Sequence, residues 1–110
     1  MPRTKIFFYK DKDGIEPCKD WLSSLSKKTR AKGYERIRLW AEMGNELRRP
    51  YVDYLADGIY ELRWRIGNIN YRILYYFRGE DIVILSHGFT KEKKVPKKEI
   101  ALALDRKKKG

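Results

Sequence analysis

The sequence has little cysteine, few acidic residues and no long apolar run. Cys18 is the one cysteine in 110 residues, which excludes an intrachain disulfide and a multi-cysteine zinc site and is typical of a reducing compartment. No apolar run approaches the roughly 20 residues that a membrane-spanning helix needs. The N-terminal residues have charge on both sides of a short apolar run and lack the cleavage site of a signal peptide. These absences predict a soluble, cytoplasmic protein that does not bind a membrane.

The shortage of acidic residues leaves a large positive charge. The chain has 15 Asp and Glu residues against 26 Lys and Arg residues, so its formal net charge is +11. Such a charge attracts polyanions, which are nucleic acid, an anionic membrane surface or an acidic protein. A membrane is the least favoured, because the basic residues do not gather on one helix face opposite Trp, Phe and Leu. Charge alone does not choose between nucleic acid and protein.

The order of the hydrophobic patterns predicts a single α+β domain over residues 1–110. Residues 4–11 are short, aromatic and bounded by a turn, which indicates an edge strand. A first helix can begin at Pro17, because the first turn of a helix does not need the backbone N–H that proline lacks. A second, longer helix is predicted from the N-cap Ser26 to the natural stop Gly44.

The second helix is predicted to have one buried and one solvated face. Its buried stripe is formed by residues at helical spacing, Tyr34, Ile37 and Ala41. The opposite face is charged, and we expect water to cover it: Lys27, Lys28, Lys32, Glu35 and Arg36.

Three antiparallel strands follow a predicted loop at residues 45–58. They cover about residues 59–66, 71–77 and 82–89, and the segments GNIN and RGED between them provide the Gly or Asn of tight turns. A basic loop then leads to a short C-terminal helix in KKEIALALDR. The elements predict a sandwich in which helices cover one face of an antiparallel sheet and leave the other face for function.

Alternation along the first two strands of the meander predicts that this second face is charged. Neighbouring residues of a strand point to opposite faces, so one face is apolar and the other collects Glu61, Arg63, Arg65, Arg72 and Tyr76. The third strand is apolar on both faces, and alternation therefore leaves the face of His87 open.

Arginines on a concave sheet face suit a phosphodiester backbone. A guanidinium group donates two parallel hydrogen bonds to phosphate oxygens and stays charged near neutral pH. Tyr76 would add a surface on which an unpaired base could stack, which favours RNA or single-stranded DNA over duplex. The same Glu61, Arg63 and Arg72 could instead form a purely structural ion-pair ladder, and a lone histidine near a strand end, such as His87, is more often structural than catalytic.

Four segments carry a family resemblance: GIEPCKDWLSSL, LADGIYELRWR, INYRILYYF and IVILSHGFTKEKKVPKKEI. In this order and spacing they resemble the RelE/HigB superfamily of toxins of type II toxin–antitoxin systems, in particular its phage-derived HigB-like branch. The resemblance implies a RelE-like sandwich, with two N-terminal helices on one face of an antiparallel sheet and a short C-terminal helix. It also implies an mRNA endoribonuclease, or mRNA interferase, that inhibits translation, commonly on the ribosome. Its reaction would be attack of a ribose 2′-hydroxyl on the neighbouring phosphate, giving a 2′,3′-cyclic phosphate, without a metal or other cofactor.

Carried over residue by residue, the resemblance implies that Arg72 clamps the scissile phosphate. Glu61 would be the general base, with His87 as the second candidate for the acid or base. Further positive charge would come from the remaining catalytic residues, Arg63 and Lys91, and from the RNA-binding residues Arg65, Lys93 and Lys94, while the RNA-binding residue Tyr76 would contact the RNA through its ring. Many members also have a substrate-contacting Tyr or His near the C-terminus. Nothing aromatic follows Phe89 here, so that role is vacant or moved to Tyr76.

The resemblance further implies partners. They are mRNA, the ribosome and a cognate antitoxin, an acidic helix-turn-helix protein of the HigA type whose charge would complement the +11 of this chain. Two alternatives retain the fold. One is a gyrase-poisoning toxin that acts through protein contacts, and the other is a module that binds RNA without cleaving it.

Overall fold

A five-stranded mixed sheet forms the centre of the protein. The computed structural model describes residues 4–44, 51–90 and 94–109. The strands are β1 (Lys5–Phe8), β2 (Val52–Ala56), β3 (Ile59–Ile66), β4 (Ile69–Arg78) and β5 (Ile82–Thr90), in the order β1-β5-β4-β3-β2. β1 pairs in parallel with β5, and the other neighbours among these five strands pair antiparallel. The predicted α+β class, edge strand and meander are confirmed.

Two helices precede the meander, at the bounds that capping residues predict. The first, α1 (Pro17–Ser24), has its proline in the first turn. The second, α2 (Lys27–Met43), begins after Ser26, whose Oγ accepts a hydrogen bond from the Thr29 backbone N–H at 3.4 Å. It ends at Gly44, whose φ of 54° lies in the left-handed region that favours glycine. None of the described helices is long and apolar enough to cross a bilayer.

The main core lies between these helices and one face of the sheet. Cys18, Leu22 and Trp40 pack there against strand residues, which are Leu62, Trp64, Tyr71, Ile73, Tyr75, Val83 and Leu85. Trp40 Nε1 donates a hydrogen bond to the Tyr75 hydroxyl at 2.9 Å, so the buried indole N–H is satisfied. Burial raises the pKa of the Cys18 thiol, which is typical of an inert core cysteine.

The prediction that residues 45–58 form a loop is wrong in part, because β2 lies within this segment. Val52 lies opposite Leu62, and the strand returns to β3 through a tight turn at Asp57 and Gly58. Both turn residues have positive φ, 52° and 85°, which Asp-Gly sequences tolerate in hairpins. The strand has only five residues between a proline and this turn, too few for alternation to reveal it.

The third helix, α3 (Lys97–Lys109), covers part of the second sheet face. Its Ala103 is buried against Ile59, Leu74, Tyr76 and Ile84. The prediction that this face stays free of helices is therefore wrong over this region. The helix has 13 residues rather than the short span predicted, because its basic last turn continues the helix.

The buried stripe of α2 is also rotated from its predicted position. Tyr34 is 40 % exposed, whereas Gly33 and Trp40 are buried. Gly33 faces the Trp64 ring, and a Cβ there would lie 2.8 Å from Trp64 Cζ2. Glycine has no side chain, so a helix face that contacts the sheet at a glycine is not detected by hydrophobic periodicity.

A similar close approach at Gly88 on β5 yields a stability prediction. A Cβ at this position would overlap the ring of Trp21. Gly88→Ala should therefore lower the free energy of unfolding by about 1–3 kcal/mol, measured by urea denaturation. The control is the same substitution in a Trp21→Leu background, which leaves room for the methyl group. An equal loss in both backgrounds would contradict this account.

Candidate active site

Arg63 and Arg72 lie side by side on the second face of the sheet. They are register partners in the β3–β4 pair, and Glu61 lies opposite Leu74 in the same pair. Directly opposed residues of an antiparallel pair point to the same face, so all three charged side chains project from one side. The juxtaposition predicted from alternation is confirmed.

The Glu61 carboxylate joins the two arginines. Arg72 Nη1 donates hydrogen bonds to both carboxylate oxygens, at 3.1 Å to Oε1 and 2.8 Å to Oε2. Arg63 Nη1 lies 3.3 Å from Oε1. Glu61 is only 2 % exposed, and a carboxylate so deeply buried is stable only with such partners. Because both of its oxygens accept hydrogen bonds from Arg72 and Oε1 also lies beside Arg63, Glu61 positions the two guanidinium groups.

The two arginines differ in their access to solvent. The Arg63 side chain is 26 % exposed, whereas that of Arg72 is 7 % exposed. A phosphate arriving from solution would meet Arg63 first and would reach Arg72 at the floor of the site.

A change of register places His87 on the same face as the arginines. Tyr75 lies opposite Leu85, but the next residue of β4, Leu74, lies opposite His87. Ser86 is therefore an extra residue in β5, which is the arrangement of a β-bulge and reverses the alternation beyond it. His87 then becomes a diagonal neighbour of Arg72, within reach of long side chains.

A chain of polar contacts fixes the His87 ring. Ser86 Oγ lies 2.9 Å from His87 Nδ1, and Nε2 lies 3.4 Å from Glu99 Oε1. From α3, Arg106 Nη1 donates to the Ser86 carbonyl at 2.9 Å and to Ser86 Oγ at 3.4 Å. Burial lowers the pKa of His87 from its ordinary 6.5, Arg106 lowers it further, and Glu99 opposes both effects. The ring is therefore neutral at pH 7.

The other residues predicted for the site lie in different parts of the chain. Arg65 is exposed and its Nε donates to the Gly67 carbonyl at 2.9 Å, at the edge of the same face. Lys94 is exposed and precedes the buried Val95. Lys91 and Lys93 lie outside the described residues.

Tyr76 is placed differently from the prediction that it offers a stacking surface. Its side chain is on the expected face but only 1 % exposed, in the cluster that α3 covers. A base cannot stack on a ring in this position. The prediction failed because the two faces of β4 are both apolar at this end, and the covering helix comes from a distant part of the sequence.

Glu99 and Arg106 were not predicted as site residues. Together with Ala103 they recur at spacings of four and three, which places them on one side of α3. Polar residues on the same side of a helix as its buried residue indicate side chains that contact other parts of the protein rather than solvent. Asp53 was also missed, and it lies opposite Glu61 in the β2–β3 pair.

Comparison with known proteins identifies the family of this chain. The family model described as "Phage derived protein Gp49-like (DUF891)" matches residues 20–108. The chain belongs to this family. The resemblance to the phage-derived HigB-like branch that the sequence motifs indicated is thereby confirmed.

Two curated relatives are similar over part of the Gp49-like chain. They are named "Probable endoribonuclease HigB1", from Mycobacterium tuberculosis strains CDC 1551 / Oshkosh and ATCC 25618 / H37Rv. Each is 40 % identical over 54 residues, which is 49 % of this chain and 43 % of the relative. The match thus spans less than half the length of these relatives.

The Glu61–Arg72 pair yields a prediction on stability. Glu61→Leu and Arg72→Met each leave a buried charge with fewer partners, and each should lower the free energy of unfolding by about 3–5 kcal/mol. The double variant should be less destabilised than the sum of the two, by about 0.5–3 kcal/mol, because both buried charges of the pair are removed together. Urea denaturation measures all three. Arg38→Met, on an exposed part of α2, is the control and should change stability by less than about 0.5 kcal/mol. Strict additivity of the two single changes would contradict the pairing.

The His87 environment yields a prediction on pH. The sequence has one histidine, so its NMR titration is unambiguous, and the pKa should lie below 6.5. Glu99→Gln should lower this pKa further and Arg106→Gln should raise it, because the two charges act in opposite directions. The unfolded chain takes up the proton first, so the free energy of unfolding should fall as the pH drops below about 6.5. His87→Gln should lose this part of the pH dependence. A pKa above 6.5, or one that Glu99→Gln does not lower, would contradict the assigned contacts.

Proposed function

We propose that this Gp49-like protein is the toxin of a toxin–antitoxin system and that it cleaves mRNA during translation. The observation that carries the proposal is the cluster of Arg63, Glu61 and Arg72 with His87 on the same face of the sheet. The printed name of the curated relatives, an endoribonuclease, agrees with this chemistry. The net charge of +11 agrees with an RNA substrate.

The arginines would stabilise the phosphate during the reaction. Attack of the 2′-hydroxyl forms a phosphorane whose negative charge grows in the transition state, and fixed guanidinium groups beside it lower the barrier. Glu61 holds Arg63 and Arg72 in place before substrate arrives, so little reorganisation is needed. Incoming phosphate oxygens would compete with Glu61 for the same donors.

His87 would act as the general base in this mechanism. Because its pKa is lowered, the ring is neutral at pH 7 and can accept a proton from the 2′-hydroxyl, with Glu99 stabilising the resulting cation. The 2′-oxygen then bonds to phosphorus, and the bond to the 5′-oxygen breaks. The leaving 5′-oxygen takes up a proton from water, so the products are a 2′,3′-cyclic phosphate and a 5′-hydroxyl. Lys91, for which the resemblance implies a source of positive charge, would stabilise the leaving oxygen in this proposal, and Lys93 and Lys94 would bind RNA.

The proposal includes a ribosome and an antitoxin. A protein of this charge binds ribosome-bound message through phosphate contacts. An acidic helix-turn-helix antitoxin of the HigA type would cover the arginine face and block access to Arg63. Membership of the family and the net charge of +11 support this part of the proposal.

The burial of the cluster favours one second candidate. Arg72 is 6 % exposed and Glu61 is 2 % exposed, which also suits a structural ion pair beneath a face that binds RNA passively. That candidate predicts salt-sensitive binding without cleavage products.

RNA cleavage tests the proposal with matched variants. Purified protein is incubated with translating ribosomes, and message ends are mapped for 2′,3′-cyclic phosphate and 5′-hydroxyl groups. Arg63→Ala, Arg72→Ala and His87→Gln should each reduce the cleavage rate by about 10²–10³-fold, the usual effect of removing one charge-stabilising or proton-transferring group. Arg38→Ala removes the same charge from an exposed part of α2 and should cleave like the wild type.

The result also separates the alternatives. Intact message with retained RNA binding would favour the passive binder, and DNA damage in expressing cells without a block in protein synthesis would favour a gyrase poison. Equal activity of the wild type and Arg72→Ala would refute the assigned site.

A further inference from the structure

An open basic cleft adjoins the candidate active site at the edge of the sheet. Its volume is about 460 Å³, within the range of small-ligand sites. Residues from α2, β3 and the segments beside them line it: Lys32, Arg36, Tyr51, Arg63, Trp64, Arg65 and Asn70. The pairing of β2 with β3 ends at Val52 and Leu62, followed only by a hydrogen bond from the Arg63 N–H to the Tyr51 carbonyl at 2.9 Å. Beyond this point none of the described residues pairs with that side of β3, and Lys32 and Arg36 of α2 line the cleft there.

We propose that this cleft binds the nucleotide of single-stranded RNA next to the one that is cut. The inference rests on the proposed function and adds to it a place for the substrate beyond the scissile phosphate. It assigns a role to Lys32 and Arg36, which the sequence pattern had placed on a merely solvated helix face.

The charge of the lining indicates an anionic ligand. Four of the seven lining residues that the structure describes, Lys32, Arg36, Arg63 and Arg65, are cationic, and none of these seven is acidic. Like charges converging on one concavity repel each other, and that repulsion is relieved when an anion enters. Lys32 and Arg36 are four residues apart on α2, so they point to the same side of the helix.

The aromatic and amide groups of the lining indicate a nucleotide rather than an acidic peptide. Tyr51 is 38 % exposed, and the Arg36 guanidinium carbon lies 4.0 Å from its ring centroid, which holds the ring in place. An exposed ring stacks on a base, and the Asn70 side chain can donate to and accept from a base edge.

Arg63 connects the cleft with the active site. It lines the cleft, and its Nη1 lies 3.3 Å from the Glu61 carboxylate that also holds Arg72. An RNA strand whose scissile phosphate lies over Arg72 would therefore pass Arg63 and place its neighbouring nucleotide between Tyr51 and Arg65.

Binding of a short single-stranded oligoribonucleotide with 2′-O-methyl groups tests the cleft, because the blocked hydroxyl prevents cleavage. Fluorescence anisotropy is measured with the full chain over a series of salt concentrations. Lys32→Gln combined with Arg36→Gln should weaken binding about tenfold or more and reduce the slope of log K against log salt by about 0.7 for each phosphate group that the variant no longer binds. The control combines Lys27→Gln with Arg38→Gln, which removes the same charge from exposed positions of α2 outside the cleft. It should change affinity less than about twofold.

A second pair of variants tests stacking. Tyr51→Leu should weaken binding about tenfold and leave the salt slope unchanged, because stacking releases no counterions. Tyr54→Leu, at a 55 % exposed position of β2 that does not line the cleft, is its control.

Three outcomes would overturn the inference. If the wild type cleaves message but the cleft and control variants bind the oligonucleotide equally, the cleft proposal fails and the proposed function stands. If the wild type neither binds nor cleaves RNA, both fail. If the cleft variants weaken binding of poly-L-glutamate but not of the oligonucleotide, the cleft is a site for an acidic protein segment instead.

Discussion

Burial of the Glu61 carboxylate between two guanidinium groups is the constraint on which the functional face depends. At 2 % exposure an isolated carboxylate would be strongly disfavoured, so Arg63 and Arg72 must stay within hydrogen-bonding distance for the sheet to remain folded as it is. The interaction that stabilises this part of the fold thus also preorganises the cations that a phosphate needs. In the proposed function, an incoming phosphate would share these cations with Glu61, which stays buried beside them.

The second constraint is the position of α3. The helix buries the half of the second face that carries Leu74 and Tyr76, and it brings Glu99 and Arg106 to the Ser86–His87 pair. Its opposite charges act on the pKa of His87 in opposite directions, Glu99 raising it and Arg106 lowering it. The part of the chain that closes the core therefore also adjusts the chemistry of the site.

The parts of the site that follow local rules could be predicted from the sequence. Alternation indicated the faces of Arg63 and Arg72, and the short turn at Gly67 fixed their register, since a two-residue turn determines which residues oppose each other. The face of His87 could not be predicted, because the extra residue Ser86 reverses alternation without a distinctive sequence signal. The burial of Tyr76 was also missed, because it depends on a helix packed from 20 or more residues away in the sequence.

The basic cleft could not be predicted from the sequence for the same reason, because it too depends on how distant elements pack. Lys32 and Arg36 are at helical spacing on a charged surface, and nothing local distinguishes a solvated face from one that overhangs a sheet edge. Among the described residues, the pairing of β2 with β3 ends at Val52 and Leu62, and beyond that point Lys32 and Arg36 of α2 line the cleft together with Arg63 and Arg65. The packing of this helix beside the sheet, and not the sequence of its charged face, thus decides that the two cations widen the basic surface around Arg63.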